Sequence, residues 1–116
     1  MDKKYYITTP IYYPSAKPHM GHAYSSIIAD FFARFKRMDG FDVQFLTGTD
    51  EHGLKIQRSA EKQNIEPLEF CNQISQTFKD LSQTLNLTNT DFIRTTEERH
   101  KKTVQHLWNE LEKNDD

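Results

Sequence analysis

A β-branched and aromatic run, Tyr5-Tyr6-Ile7-Thr8-Thr9, is followed by a long helical pattern and then by a second run, Asp42-Val43-Gln44-Phe45-Leu46-Thr47. Strand, crossover helix and strand in that order form the βαβ unit, whose strands lie parallel and whose crossover is right-handed. The expected fold class is therefore α/β, an open parallel sheet with flanking helices. The first run reads as a buried strand. Pro10, Pro14 and Pro18 make residues 10–18 a stiffened loop.

From Gly21 the helical pattern places Ala23, Ile27, Ile28, Phe31, Phe32 and Phe35 at three- and four-residue steps, a face wide enough to cover a sheet. The Phe31-Phe32-Phe35 stripe reads as core packing. Lys36 and Arg37 suit the negative end of the helix dipole, and Gly40 is placed to terminate the helix. Residues 48–53 read as a loop and Leu54 to Gln63 as a short helix. Pro67 opens another, with Leu68, Phe70, Ile74, Phe78, Leu81 and Leu85 inward. Phe92-Ile93-Arg94 is a brief third strand. Thr95 with Glu98 resembles a capping box for a last helix, which carries Val104, Leu107, Trp108 and Leu111 on one stripe. A parallel sheet needs both faces covered and its edges extended. Three strands, with a stop at Glu112-Lys113-Asn114-Asp115-Asp116, make residues 1–116 read as one half of a larger domain.

Composition removes several classes of function. Fifteen Lys plus Arg against seventeen Asp plus Glu leave a net charge of −2, unlike a polybasic nucleic-acid binder. Mean hydropathy is −0.83, and no run approaches the roughly 20 apolar residues of a membrane helix. No membrane partner is expected. A single cysteine, Cys71, cannot form an internal disulfide or supply a zinc framework, and it reads as a small core residue. The start, Met1-Asp2-Lys3-Lys4-Tyr5, has no apolar signal core, which favours the cytoplasm. Glycines at 21, 40, 48 and 53 match neither GxGxxG nor GxxxxGK[ST].

Ligands of open α/β sheets bind beyond the carboxyl ends of the strands. Two polar clusters qualify: Pro18-His19-Met20-Gly21-His22 before the long helix, and Gly48-Thr49-Asp50-Glu51-His52-Gly53 after the second strand. If the strands are neighbours, both clusters open on one edge. A helix start offers unpaired N–H groups and the positive dipole end, so His19 and His22 can flank a phosphoryl group there. Gly21 between them lets a flat ring approach the backbone. Two donors aimed at charge developing on phosphorus would each contribute on the order of 2–4 kcal/mol to lowering the barrier. Capping and hydration explain the same pair equally, and metal binding lacks a third ligand nearby. Asp50 and Glu51 suit either helix capping or a cationic amine. His100 and His106 read as solvated, whereas Tyr12 and Tyr13 sit where a pocket wall would be.

The His19-Met20-Gly21-His22 box resembles the HIGH motif of class I aminoacyl-tRNA synthetases. Tyr6-Ile7-Thr8-Thr9-Pro10-Ile11-Tyr12-Tyr13, Gly48-Thr49-Asp50-Glu51-His52-Gly53 and Asp91-Phe92-Ile93-Arg94-Thr95-Thr96 are similar to the methionyl branch of that family. The resemblance runs from Tyr5 to Asn114. It implies the first half of a Rossmann-type (HUP-like) catalytic domain that joins methionine to ATP as methionyl-adenylate and passes the acyl group to tRNA. It implies ATP, with Mg2+, as substrate, and no zinc ligands are expected within this segment. His19 and His22 are implied as the catalytic, phosphate-binding pair, with Gly21 against the nucleotide. Asp50 would hold the substrate ammonium, Ile11 and Tyr13 would line the methionine pocket, and Glu51 and His52 would support them. Met20 stands where the motif has isoleucine.

The family continues with a connective insertion, a KMSKS loop and an anticodon-binding domain, and no Lys-Met-Ser-Lys-Ser occurs here. The segment alone is therefore expected to be weak or inactive and marginally stable. Two other readings compete: another class I synthetase or HxGH nucleotidyltransferase, and a non-catalytic remnant that keeps the nucleotide-binding fold.

Overall fold

The computed structural model describes residues 3–114; Met1, Asp2, Asp115 and Asp116, which enter the readings of the start and the stop, lie outside the described residues. The elements are β1 (Lys3–Thr8), α1 (Met20–Met38), β2 (Phe41–Thr49), α2 (Leu54–Lys62), α3 (Pro67–Thr84), β3 (Asp91–Arg94) and α4 (Glu98–Lys113). The sheet order is β1-β2-β3 and both pairings are parallel, with Tyr5 opposite Val43 and Thr47 opposite Phe92. This is the expected α/β architecture.

β2 lies between the other two strands and carries the core: Val43, Phe45, Thr47 and Thr49 are all buried. β1 is not the buried strand expected. Among the described residues it pairs on one side only, with Tyr5 and Ile7 half-buried and Tyr6 65% exposed.

α1 crosses from β1 to β2 with a different face inward than its hydrophobicity suggests. Ser26, Ala29, Asp30 and Ala33 are its buried residues, and Ala29 and Ala33 cluster with Val43 and Phe45. Ile27, Ile28, Phe31, Phe32 and Phe35 are all exposed, so the aromatic stripe is not core packing in this chain. Both sets recur at helical spacing, and the small residues let the helix axis approach the sheet closely. Asp30 then reaches the α3–β3 loop, where it accepts the Thr88 N–H at 2.7 Å and the Thr88 hydroxyl at 2.6 Å. The helix ends at Asp39, and Gly40 follows at φ +85°, the left-handed conformation that stops a helix.

The second core lies between α2 and α3, where Ile56, Ala60, Phe70 and Cys71 meet. Pro67 opens α3 as expected, and Phe70 and Phe78 face inward, whereas Leu68 in the first turn is exposed. Burial, reinforced by Glu51, pushes the Cys71 thiol up to about 11, consistent with an inert core residue.

Two further expectations change. Gly48 and Thr49 belong to β2 and not to the following loop. A Cβ on Gly48 would sit 2.0 Å from the Ile93 carbonyl oxygen, so only glycine lets β2 lie this close to β3. Thr95 is not the N-cap of α4; Glu97 is. The Thr95 hydroxyl instead accepts the buried Glu51 N–H at 2.7 Å, a donor that needs a partner inside the fold. The Val104, Leu107, Trp108 and Leu111 stripe is exposed, and no residue of α4 is buried. His106 is exposed on this helix, and His100 is half-buried.

Candidate active site

Parallel pairing puts the carboxyl ends of β1 and β2 side by side, so the loops that follow them meet. Tyr12 is where they join. It bridges Thr49 in parallel register, donates its N–H to the Gly48 carbonyl at 2.9 Å, and accepts the Asp50 N–H at 2.8 Å. Its buried ring stacks on Phe78 at 5.7 Å and meets the His22 ring edge-on at 4.8 Å. Its hydroxyl lies 2.9 Å from the Ser26 hydroxyl and donates to the His22 carbonyl at 3.3 Å. One residue thus ties the two together, its backbone holding Asp50 and its side chain reaching His22 and Ser26 of α1.

The two histidines form a reciprocal cap. Nδ1 of His19 accepts the Gly21 N–H at 3.0 Å, and Nδ1 of His22 accepts the His19 N–H at 3.0 Å. The rings lie 3.9 Å apart, tilted by 31°. An Nδ1 that accepts carries no proton, so each neutral ring bears its proton on Nε2. Capping and anion binding are therefore compatible: the Nδ1 edges satisfy the helix start, and the Nε2–H edges remain donors. Desolvation, with the neighbouring His19 second, holds the His22 pKa below its ordinary value. Gly21 has a local reason to lack a side chain, since a Cβ there would come within 2.8 Å of Cε1 of His19.

His19 and His22 line a cavity of about 320 Å³ together with Tyr13, Ser15, Ala16, Lys17 and Lys55. Its lining holds two ammonium groups and two imidazoles, and no carboxylate. Such a set suits phosphate oxygens and not a hard divalent cation, which prefers oxygen ligands. Tyr13 also presses its hydroxyl against Gly53, where a Cβ would sit 2.1 Å from the oxygen.

The other candidates are distributed around this cavity. Asp50 is half-buried and Ile11 is 40% exposed; neither is in the cavity lining, and Asp50 connects to it through Tyr12. The Glu51 side chain is fully buried and points away, into an ion pair with Arg94 at 2.7 Å. His52 turns towards β3 as well, with Nε2 3.3 Å from the Thr95 carbonyl. Lys17, Lys55 and Arg94 escaped the reading of the sequence. The two lysines look like ordinary surface charges there, and Arg94 ends a short strand that opens on Asp91, so nothing local marks any of the three.

Among the described residues, no helix is long and apolar enough to cross a membrane. A family model described as "tRNA synthetases class I (M)" matches residues 5–116. The chain is 56% identical over 110 residues to a mitochondrial methionine–tRNA ligase of Takifugu rubripes, covering 95% of this chain and 19% of that protein. It is 54% identical over 111 residues to the methionine–tRNA ligase of Rickettsia conorii, covering 96% of this chain and 22% of the relative. Its structure superposes on Mycobacterium tuberculosis methionyl-tRNA synthetase in complex with methionyl-adenylate with a TM-score of 0.96 and 44% identity, covering 98% of this chain and 22% of the other. The chain thus spans about a fifth of the length of the relatives it matches.

Proposed function

The chain belongs to the class I tRNA synthetases of the methionine type, and from that premise we propose that it forms the part of a methionine–tRNA ligase that activates methionine with ATP. The observation that carries this reading is the His19–His22 pair. Its Nδ1 atoms are consumed by the α1 start, which leaves Nε2–H as the free donor of each neutral ring, and both residues line a cavity that Lys17 and Lys55 make cationic.

The chemistry follows from that arrangement. ATP enters as its magnesium salt with its phosphates against the histidines and Gly21 against the nucleoside. Methionine's carboxylate oxygen attacks the α-phosphorus, and the bond to the bridging oxygen breaks to release pyrophosphate. Negative charge grows on the phosphoryl oxygens during attack, and preorganised N–H donors stabilise that charge more than the ground state. Asp50 receives the substrate ammonium, and Ile11 and Tyr13 contact the thioether chain, an unbranched and polarisable group. Glu51 and His52 support the Asp50 loop from behind. In the second step a ribose hydroxyl of the terminal adenosine of tRNA attacks the adenylate carbonyl and AMP leaves. The reading places the protein where translation runs.

Methionine-dependent exchange of labelled pyrophosphate into ATP by the full-length protein tests this. Exchange with methionine and not with leucine, isoleucine or valine is expected. Exchange driven by a different amino acid would replace the methionine assignment. The 116-residue segment by itself is expected to exchange weakly or not at all.

A further inference from the structure

Residues 49–52 are held from two sides. On one side the Asp50 N–H is bound to the Tyr12 carbonyl. On the other, four donors converge on the carboxylate of Glu51. Its Oε2 accepts the Thr49 hydroxyl at 2.5 Å and Nε of Arg94 at 2.7 Å. Its Oε1 accepts Nη2 of Arg94 at 2.8 Å and the Thr96 hydroxyl at 2.8 Å. The Glu51 N–H goes to Thr95, and its carbonyl accepts the Cys71 thiol at 3.6 Å. Arg94 is braced in turn, because Nη2 also donates to Oδ1 of Asn72 on α3 at 2.7 Å. The Asp50 carboxylate takes none of these bonds.

This cluster is poorly explained as a stability device alone. A buried ion pair roughly breaks even against apolar residues of the same volume, because desolvation offsets the attraction. What a two-pronged guanidinium–carboxylate contact adds is geometry: both oxygens are addressed at fixed angles. β2 ends at Thr49, but the Thr49 hydroxyl bonds the Glu51 carboxylate two residues on. The side chains at 49 and 51 thus share one side of the chain, and in an extended segment the residue between them is directed to the other. Locking Glu51 inward therefore sets where the next carboxylate along, that of Asp50, is directed.

We propose that Arg94 is a positioning residue for Asp50: through its fork onto buried Glu51 it aims the carboxylate that receives the substrate ammonium. The inference rests on the ammonium role of Asp50 proposed above. Arg94 touches no substrate itself.

The test uses the full-length protein, with methionine affinity from equilibrium dialysis and the KM for ATP from pyrophosphate exchange. The variants are Arg94→Lys, Asp50→Asn and the double substitution. Arg94→Lys keeps the charge and loses the fork, and should weaken methionine binding about tenfold while the KM for ATP stays within about twofold, a coupling of ordinary size for contacting residues. The double variant should bind methionine no more weakly than Asp50→Asn, since Arg94 acts through that carboxylate. If the two effects multiply, or if both substrates suffer alike, Arg94 only holds the fold, and the inference fails while the Asp50 reading stands. If Asp50→Asn leaves methionine affinity unchanged, the ammonium reading fails and takes this inference with it. Should Arg94→Lys not fold, Thr96→Val removes one of the four donors. It should produce the same methionine-selective loss in smaller measure, and no loss would overturn the proposal.

Discussion

The backbone N–H of His19 donates to Nδ1 of His22 at 3.0 Å, so the second histidine of the box caps the first as well as lying beside it. Protonating Nδ1 of His22 destroys that bond and places a cation next to the His19 ring. Burial disfavours the imidazolium, and the neighbouring His19 adds to that, so the His22 pKa lies below 6.5. Both rings should therefore appear as the Nε2–H tautomer at neutral pH in long-range 1H–15N spectra of the labelled protein. The sign of the pH effect follows. With the folded pKa depressed, the contribution to stability is fully present above 6.5 and is lost as pH falls through the lower folded value. A His22 titrating above 6.5, or an Nδ1–H signal at neutral pH, would contradict the capping geometry.

Removing a transition-state donor has a kinetic signature distinct from removing a binding contact. His22→Ala should lower the single-turnover rate of adenylate formation by roughly a hundredfold or more, the scale of single-donor deletions at oxyanion sites. Methionine affinity should change little, because the imidazole faces the cavity with Lys17 and Lys55 and not Asp50. Equal losses in rate and in methionine binding would place His22 at the amino acid instead.

The order of elements was legible because strand and helix periods differ sharply around Pro10–Pro18 and Gly40. The meeting of the two polar clusters was legible for a related reason: parallel neighbours put their carboxyl ends on one edge. The facing of α1 was not. Ala29 and Ala33 share the helical spacing of Phe31 and Phe35, and hydrophobicity favours the wrong set when close approach to a sheet demands small residues. Thr95 misled for a different cause. Its spacing to Glu98 fits a cap, but a buried N–H forty-four residues earlier in the chain, on Glu51, claims the hydroxyl. Contacts such as Glu51–Arg94 or Asp30–Thr88 join residues far apart in sequence, and no local pattern announces them. The loop puts Tyr12 near the site, yet its part in joining Asp50 to His22 depends on contacts with α1 and β2 that its own segment does not encode.

Two glycines beside the site should respond differently to alanine. Gly53 sits at φ +134° and ψ 164°, a region essentially closed to other residues, and its missing Cβ leaves room for the Tyr13 hydroxyl. Gly53→Ala should cost about 1–3 kcal/mol and displace Tyr13. At Gly48 the obstacle is the Ile93 carbonyl oxygen, which is backbone and cannot rotate away. Gly48→Ala should exceed the roughly 1–3 kcal/mol of ordinary overpacking, because β2 and β3 must separate. Thermal midpoints of the two variants check the ranking, and a milder effect at Gly48 would mean that the strands lie further apart than described.

Asp30 offers an acid-range test of the way α1 is seated. Its side chain is 10% exposed and forms an ion pair with Arg34 at 2.6 Å besides its two bonds to Thr88. Desolvation alone would raise its pKa, but the Thr88 and Arg34 bonds outweigh that and hold it below 3.8. A depressed carboxyl pKa contributes stability that is complete above the unfolded value and disappears as pH falls through the folded one. Asp30→Asn keeps the shape but removes the charge, and it can turn an N–H donor towards Arg34. The variant should be less stable than the parent by about 1–3 kcal/mol at neutral pH. That gap should hold constant down to the ordinary carboxyl range and narrow below 3.8 as the parent loses its own contribution. Denaturation midpoints from pH 7 downward measure it. A gap that stays the same width at acid pH would show that the loss comes from altered packing and not from the Asp30 charge.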